Sequence, residues 1–170
     1  MPLHPFIVHL PLALSLLMPL LAAAALLAWW RGWLPGRRLW LAVVACQALL
    51  VVAGFVALRT GEAEEERVEA FVSEASLEQH EALATRLLVG AGAVLLLAAV
   101  PLLLRGSRQA RAVALLATLG MVVVSALAVQ TGKAGGELVY KHGAAAAYTA
   151  NAGQQAEPAR ENAGEANEHD

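Results

Sequence analysis

The sequence predicts an all-α fold: a polytopic membrane four-helix bundle of two duplicated two-helix repeats in parallel orientation, with a disordered C-terminal tail. Three observations carry this. The chain of 170 residues is 58% hydrophobic and 15% charged, far from soluble averages. Its apolar residues fall in four blocks, 6–30, 39–58, 87–104 and 112–129, each able to cross about 30 Å of hydrocarbon as a helix. The motif His-x-x-Leu-Ala-x-x-Leu-Leu occurs twice, from His9 to Leu17 and from His80 to Leu88, at an offset of 71 residues.

The same offset aligns Thr60-Gly61-Glu62-Ala63 with Thr131-Gly132-Lys133-Ala134, Arg37 with Arg108, and Glu66 with Glu137. Matched histidines and a matched Thr-Gly are not expected from Leu/Ala-rich composition alone, so an internal duplication is read first. Strict alternation is missing, which leaves helices as the spanning structure.

The first helix is expected at about 5–30. Its basic residues follow the apolar stretch, so it is not a signal peptide. Pro11 and Pro19 should bend it. The second is expected at about 39–59, the third at 77–104 and the fourth at 111–131. Repeat 1 then spans about 5–70 and repeat 2 about 76–141. Residues 62–79 read as a short amphipathic helix over the bundle mouth, with Val68, Phe71, Val72 and Leu77 at helical spacing. Gly61 and Gly132 read as helix C-terminal caps, and Gly90 and Gly92 as close-packing positions. Residues 144–170 hold Ala, Gly, Gln, Asn and Glu with no larger aliphatic residue, the composition of a disordered tail. His169 falls there and reads as a bystander.

Arg31, Arg37 and Arg38 join helices 1 and 2, and Arg105, Arg108 and Arg111 join helices 3 and 4, with no acid in either turn. Arginines at helix ends place these turns in the cytoplasm. Both termini then face the periplasm of a bacterial inner membrane. Trp29, Trp30, Trp33 and Trp40 cluster at the arginine turn and read as an interfacial belt. The lone Cys46 excludes an intramolecular disulfide and a multi-thiolate metal site. A net charge of −2 gives no case for nucleic acid.

Four of the five histidines, His4, His9, His80 and His142, map to the end opposite the arginines. The positions shared between repeats, His9/His80, Leu12/Leu83, Ala13/Ala84, Leu16/Leu87 and Leu17/Leu88, form one helical stripe. Two helices per repeat make helices 1 and 3 diagonal partners. A stripe shared by diagonal helices is expected to face the core and bring His9 opposite His80. Two imidazoles facing across a bundle suit the iron of a b-type haem. Arg86, Arg59 and Lys141 are then candidates for its propionates. A Zn or Cu site of His4, His9, His80 and His142 is the alternative. A structural subunit with capping histidines is the third reading. No nucleophile, carboxylate pair or phosphate loop suggests an enzyme.

Leu3-His4-Pro5-Phe6-Ile7-Val8-His9-Leu10-Pro11 resembles the HPxxVHFP opening of a bacterial membrane-protein family described as domain of unknown function 2231. The run from Thr131 to Gly143 resembles its TGxxGGxLVYxHG ending, and His80 falls at its third-helix histidine. Leu10 stands where Phe is usual. The resemblance covers residues 1–143 and implies a four-helix membrane fold without an assigned activity. It implies motif roles for His4, His9, His80, His142, Gly135, Gly136, Tyr140 and Gly143. Tyr140 is a candidate hydrogen-bond partner of a cofactor or an interfacial anchor. Fusion of some relatives to Rieske-type or cytochrome c-type modules implies an electron-transfer setting. The expected partners are the bilayer, a quinol or a periplasmic redox protein, and further subunits or copies of the chain.

Overall fold

The computed structural model describes residues 3–144 and 146. In chain order these form α1 (His4–Ile7), α2 (His9–Arg31), α3 (Gly36–Glu62), α4 (Glu65–Glu69), α5 (Glu74–Leu103) and α6 (Ser107–Tyr140). The described residues contain no strand. Four segments are long and apolar enough to cross a membrane: His4–Arg31, Gly36–Glu62, Glu74–Leu103 and Ser107–Tyr140. Nearly all of the expected tail lies outside the described residues, as does His169. Ala144, its first residue, is buried against Val68, Val72 and Leu138.

The long helices form a ring in which α2 touches α3 and α6, and α5 touches α3 and α6. Thus α2 and α5 face each other diagonally. The central core is built from Met18, Ala22, Leu26, Val43, Leu50, Val94, Ala98, Ala114, Ala117 and Met121, among others. The alanines let the backbones approach closely, as membrane helices require when the lipid gives no hydrophobic drive for association. Large apolar side chains such as Leu20, Val52, Leu96 and Val123 cover the outside, where hydrocarbon rather than water is the matching solvent.

Two prolines shape the first span. Pro11 has no N–H for the Ile7 carbonyl, and the helix breaks at Val8, separating α1 from α2. Pro19 likewise frees the Ser15 carbonyl inside α2. Ser125 of α6 supplies the missing donor, its hydroxyl lying 2.5 Å from Ser15 O. Ser15 itself donates to Pro11 O at 2.7 Å.

Several expectations need correction. Gly61 and Gly132 are not caps: both lie inside helices, and α6 continues through Gly132 to Tyr140. The positive-φ glycines are Gly32 (φ 67°), which ends α2, and Gly143 (φ 78°). Trp40 does not belong to an interfacial belt. It is 0% exposed, and its indole N–H donates to Ala98 O at 2.8 Å, tying α3 to α5. Trp30 and Trp33 are exposed at the arginine end as expected. The amphipathic segment is shorter than 62–79. Only α4 and its flanks lie across the mouth, with Val68 and Val72 buried and Phe71 exposed.

Candidate functional site

The end of the bundle opposite the arginine turns brings two imidazoles together. They belong to His4 and His80. The ring centroids are 6.5 Å apart and the planes cross at 85°. His4 sits on α1, ahead of the break at Val8, and His80 sits in the second turn of α5. The pair therefore joins the two diagonal sides of the ring.

Each imidazole rests on a glycine of a neighbouring helix. A Cβ added at Gly61 of α3 would lie 3.0 Å from His4 Cε1, and one added at Gly135 of α6 would lie 3.0 Å from His80 Cε1. Carbon atoms pack at about 3.5–4.0 Å, so any larger residue would move the ring. Each ring also meets the carbonyl one turn before its glycine. His4 Nδ1–H donates to Ala57 O at 2.9 Å, with Thr60 Oγ1 at 3.3 Å. In the neutral ring that bond fixes the tautomer and leaves the Nε2 lone pair free, the usual arrangement behind a metal-ligating histidine. The Thr131 carbonyl lies against the His80 ring. No hydrogen bond of good geometry closes there: His80 Nδ1 is buried and unpartnered among the described residues. A buried nitrogen in that state is costly unless something else satisfies it.

The segment carrying His4 is fastened from the far side. Glu64 Oε1 accepts from the backbone N–H groups of Leu3 and His4, at 2.9 and 3.3 Å. One turn beyond the pair, Leu77 of α5 and Leu138 of α6 pack with Val68 and Val72 under the α4 crossing. At the start of α4, the Glu65 carboxyl is held above its ordinary range, first by burial and then by Glu81, Glu69 and Glu62.

The expected pair His9 and His80 is not what assembles. His9 is exposed on the outside of α2, where Nδ1–H meets Phe6 O at 3.3 Å. It lines a lipid-facing apolar groove with Phe6, Leu10, Leu49 and Val52. The stripe that shares its face points outward too, with Leu16 45% and Leu17 50% exposed. The equivalent stripe of α5, with Leu83, Ala84, Leu87 and Leu88, is half-buried. The two copies of the motif thus use different faces. His142 is exposed beyond α6. Among the described residues no three His, Cys, Asp or Glu side chains converge as a metal cage, so the four-histidine cluster is not formed.

The expected cofactor-contacting residues are also dispersed. Arg86 is exposed on α5, and Tyr140 is 89% exposed. Arg59 is paired with Glu62 at 2.7 Å and lies over the Phe55 ring, while Lys141 is paired with Glu137 at 2.9 Å. The residues that sequence reasoning passed over as site builders are Gly61 and Gly135. The signals in the sequence were Thr60-Gly61 near the outer end of α3 and Gly135-Gly136 near that of α6.

No curated protein and no solved structure matches the chain. A family model described as predicted membrane protein (DUF2231) matches residues 1–147. With this match over most of its length and its four apolar spans, the chain belongs to the DUF2231 family of predicted membrane proteins.

Proposed function

We propose that His4 and His80 hold one transition-metal ion, copper in its reduced state, at the outer end of the bundle. The observation that carries this is the separation of two perpendicular, glycine-seated imidazoles. A metal–nitrogen bond of about 2.0 Å, added to about 1.1 Å from ring atom to ring centre, puts two in-line imidazoles about 6 Å apart. A tetrahedral angle at the metal brings them to about 5 Å. The 6.5 Å separation favours the in-line case. Two opposed imidazoles complete the coordination of a two-coordinate cuprous ion, whereas zinc asks for four ligands.

Haem iron is the second reading, because the same separation suits axial ligands and the porphyrin supplies the other four nitrogens. Its expected anchors give it little support: Tyr140 is turned outward, and Arg59 and Lys141 are held by acids. Either metal makes one-electron exchange the chemistry of the site, with a quinol or a soluble redox protein as partner. We place the histidine end in the periplasm of a bacterial inner membrane, on the strength of the six arginines at the other end.

The test is metal analysis and absorption spectroscopy of the protein purified from copper-replete, haem-sufficient cells. One copper per chain is expected, lost in His4→Ala and His80→Ala and kept in His9→Ala and His142→Ala. A Soret band that depends on His4 and His80 would move the assignment to haem. A colourless, metal-free wild type would sink both and leave a structural subunit.

A further inference from the structure

At the arginine end, the last turn of α2 and the first turns of α6 enclose an open cleft of about 370 Å³, lined by Trp30, Arg108, Arg111, Ala112 and Leu115. Its chemistry divides along the helix axis. The outer half is cationic. Arg108 and Arg111 are one turn apart on α6 and so share a face. Arg111 is held in place by a hydrogen bond from Nε to Ser107 O at 3.2 Å. Its two terminal nitrogens remain free to donate. No described residue at this end is acidic, and neither guanidinium forms a salt bridge among the described residues. The inner half is apolar. Ala112 and Leu115 floor it, and the surface continues along α6 through the exposed Leu116, Leu119, Val122 and Val123. Trp30, half exposed, closes the α2 side with an indole at the level where such rings meet headgroups.

A ligand matching this gradient has an anionic head and a long apolar tail, and it reaches the site from within the bilayer. We propose that the cleft is a binding site for an anionic phospholipid, whose phosphodiester bridges Arg108 and Arg111 while one acyl chain follows Leu115 and Leu119. Planar guanidinium groups suit phosphate oxygens because two parallel N–H donors match their spacing. Basic pockets between membrane helices are recognised sites for such headgroups. The site is independent of the histidine pair, which lies at the other end of the bundle.

Native mass spectrometry of the full chain in detergent, with phosphatidylglycerol and phosphatidylcholine of matched chains, tests this. At about a factor of five per basic contact, retention of phosphatidylglycerol should exceed that of phosphatidylcholine by about tenfold or more. The double variant Arg108→Gln/Arg111→Gln should erase the preference. Arg38→Gln, which removes an exposed arginine at the same end but outside the cleft, should keep it. Equal retention of the two lipids would overturn the proposal, as would a preference that survives the double variant. Displacement of the lipid by millimolar glycerol phosphate would also overturn it, because the site would then read a free phosphate and not a lipid. Circular dichroism of the double variant checks that the helices are intact.

Discussion

Gly135→Ala should separate the site from the scaffold, because its neighbour Gly136 provides an internal control. The added methyl at 135 would lie 3.0 Å from His80 Cε1, 3.5 Å from Nδ1 and 3.8 Å from Nε2. Relieving the closest contact moves the ring by a few tenths of an ångström. Metal sites tolerate errors of about 0.2 Å in ligand distance, so the ligand leaves its position while the helix stays. The expected loss of copper affinity is about 10–100-fold, as for a lost orienting partner. Stability should fall by at most about 2 kcal/mol. Alanine gains about 1 kcal/mol over glycine in a helix, and overpacking costs about 1–3 kcal/mol. At Gly136 nothing lies within 4 Å of the added methyl, so only the gain of up to about 1 kcal/mol applies. Competition titration of cuprous ion against a chromophoric chelator, with thermal melts in the same detergent, reads both quantities. The reasoning fails if the two alanine variants bind copper alike.

Two further outcomes follow from the same structure. Ser125→Ala leaves the Ser15 carbonyl, freed by Pro19, without its donor and should cost about 1–3 kcal/mol. Adding Pro19→Ala supplies a backbone N–H at the right place, so the double variant should recover most of the loss in a denaturation assay. Glu65 has a raised pKa, caused by burial and by Glu81, Glu69 and Glu62. The folded state therefore binds the proton more tightly, and stability declines as pH rises from the ordinary carboxylate range through the raised value. Glu65→Gln should melt higher than wild type at pH 7, and the difference should close at pH 4. A difference that persists at pH 4 would contradict that account.

The spans were legible because hydropathy and length decide what crosses a bilayer, and the sequence carries both without ambiguity. The diagonal placement of α2 and α5 followed from short arginine turns. The site was legible only in part. A gap-free offset made His9 the twin of His80, yet register in a helix is angular. His4 and His9 are five residues apart, about 140° around a helix, so with His4 inward His9 is left outside. Gly61 and Gly132 were misread because Thr-Gly at the end of an apolar run looks like a cap. In the structure Gly61 and Gly135 are seats for rings that arrive from other helices, a relation no local pattern contains. Trp40 was misplaced for a similar reason: its neighbours are interfacial, but its own partner is the Ala98 carbonyl on a different span.

X-ray absorption spectroscopy of the cuprous protein tests the paired-imidazole site most directly. The site predicts two nitrogen neighbours at about 2 Å, the multiple-scattering signature of imidazole, and the near-edge feature of in-line two-coordination. The spectrum should be unchanged in His9→Ala and lost in His4→Ala. Sulfur or four-coordinate scattering, or a spectrum indifferent to His4, would contradict it.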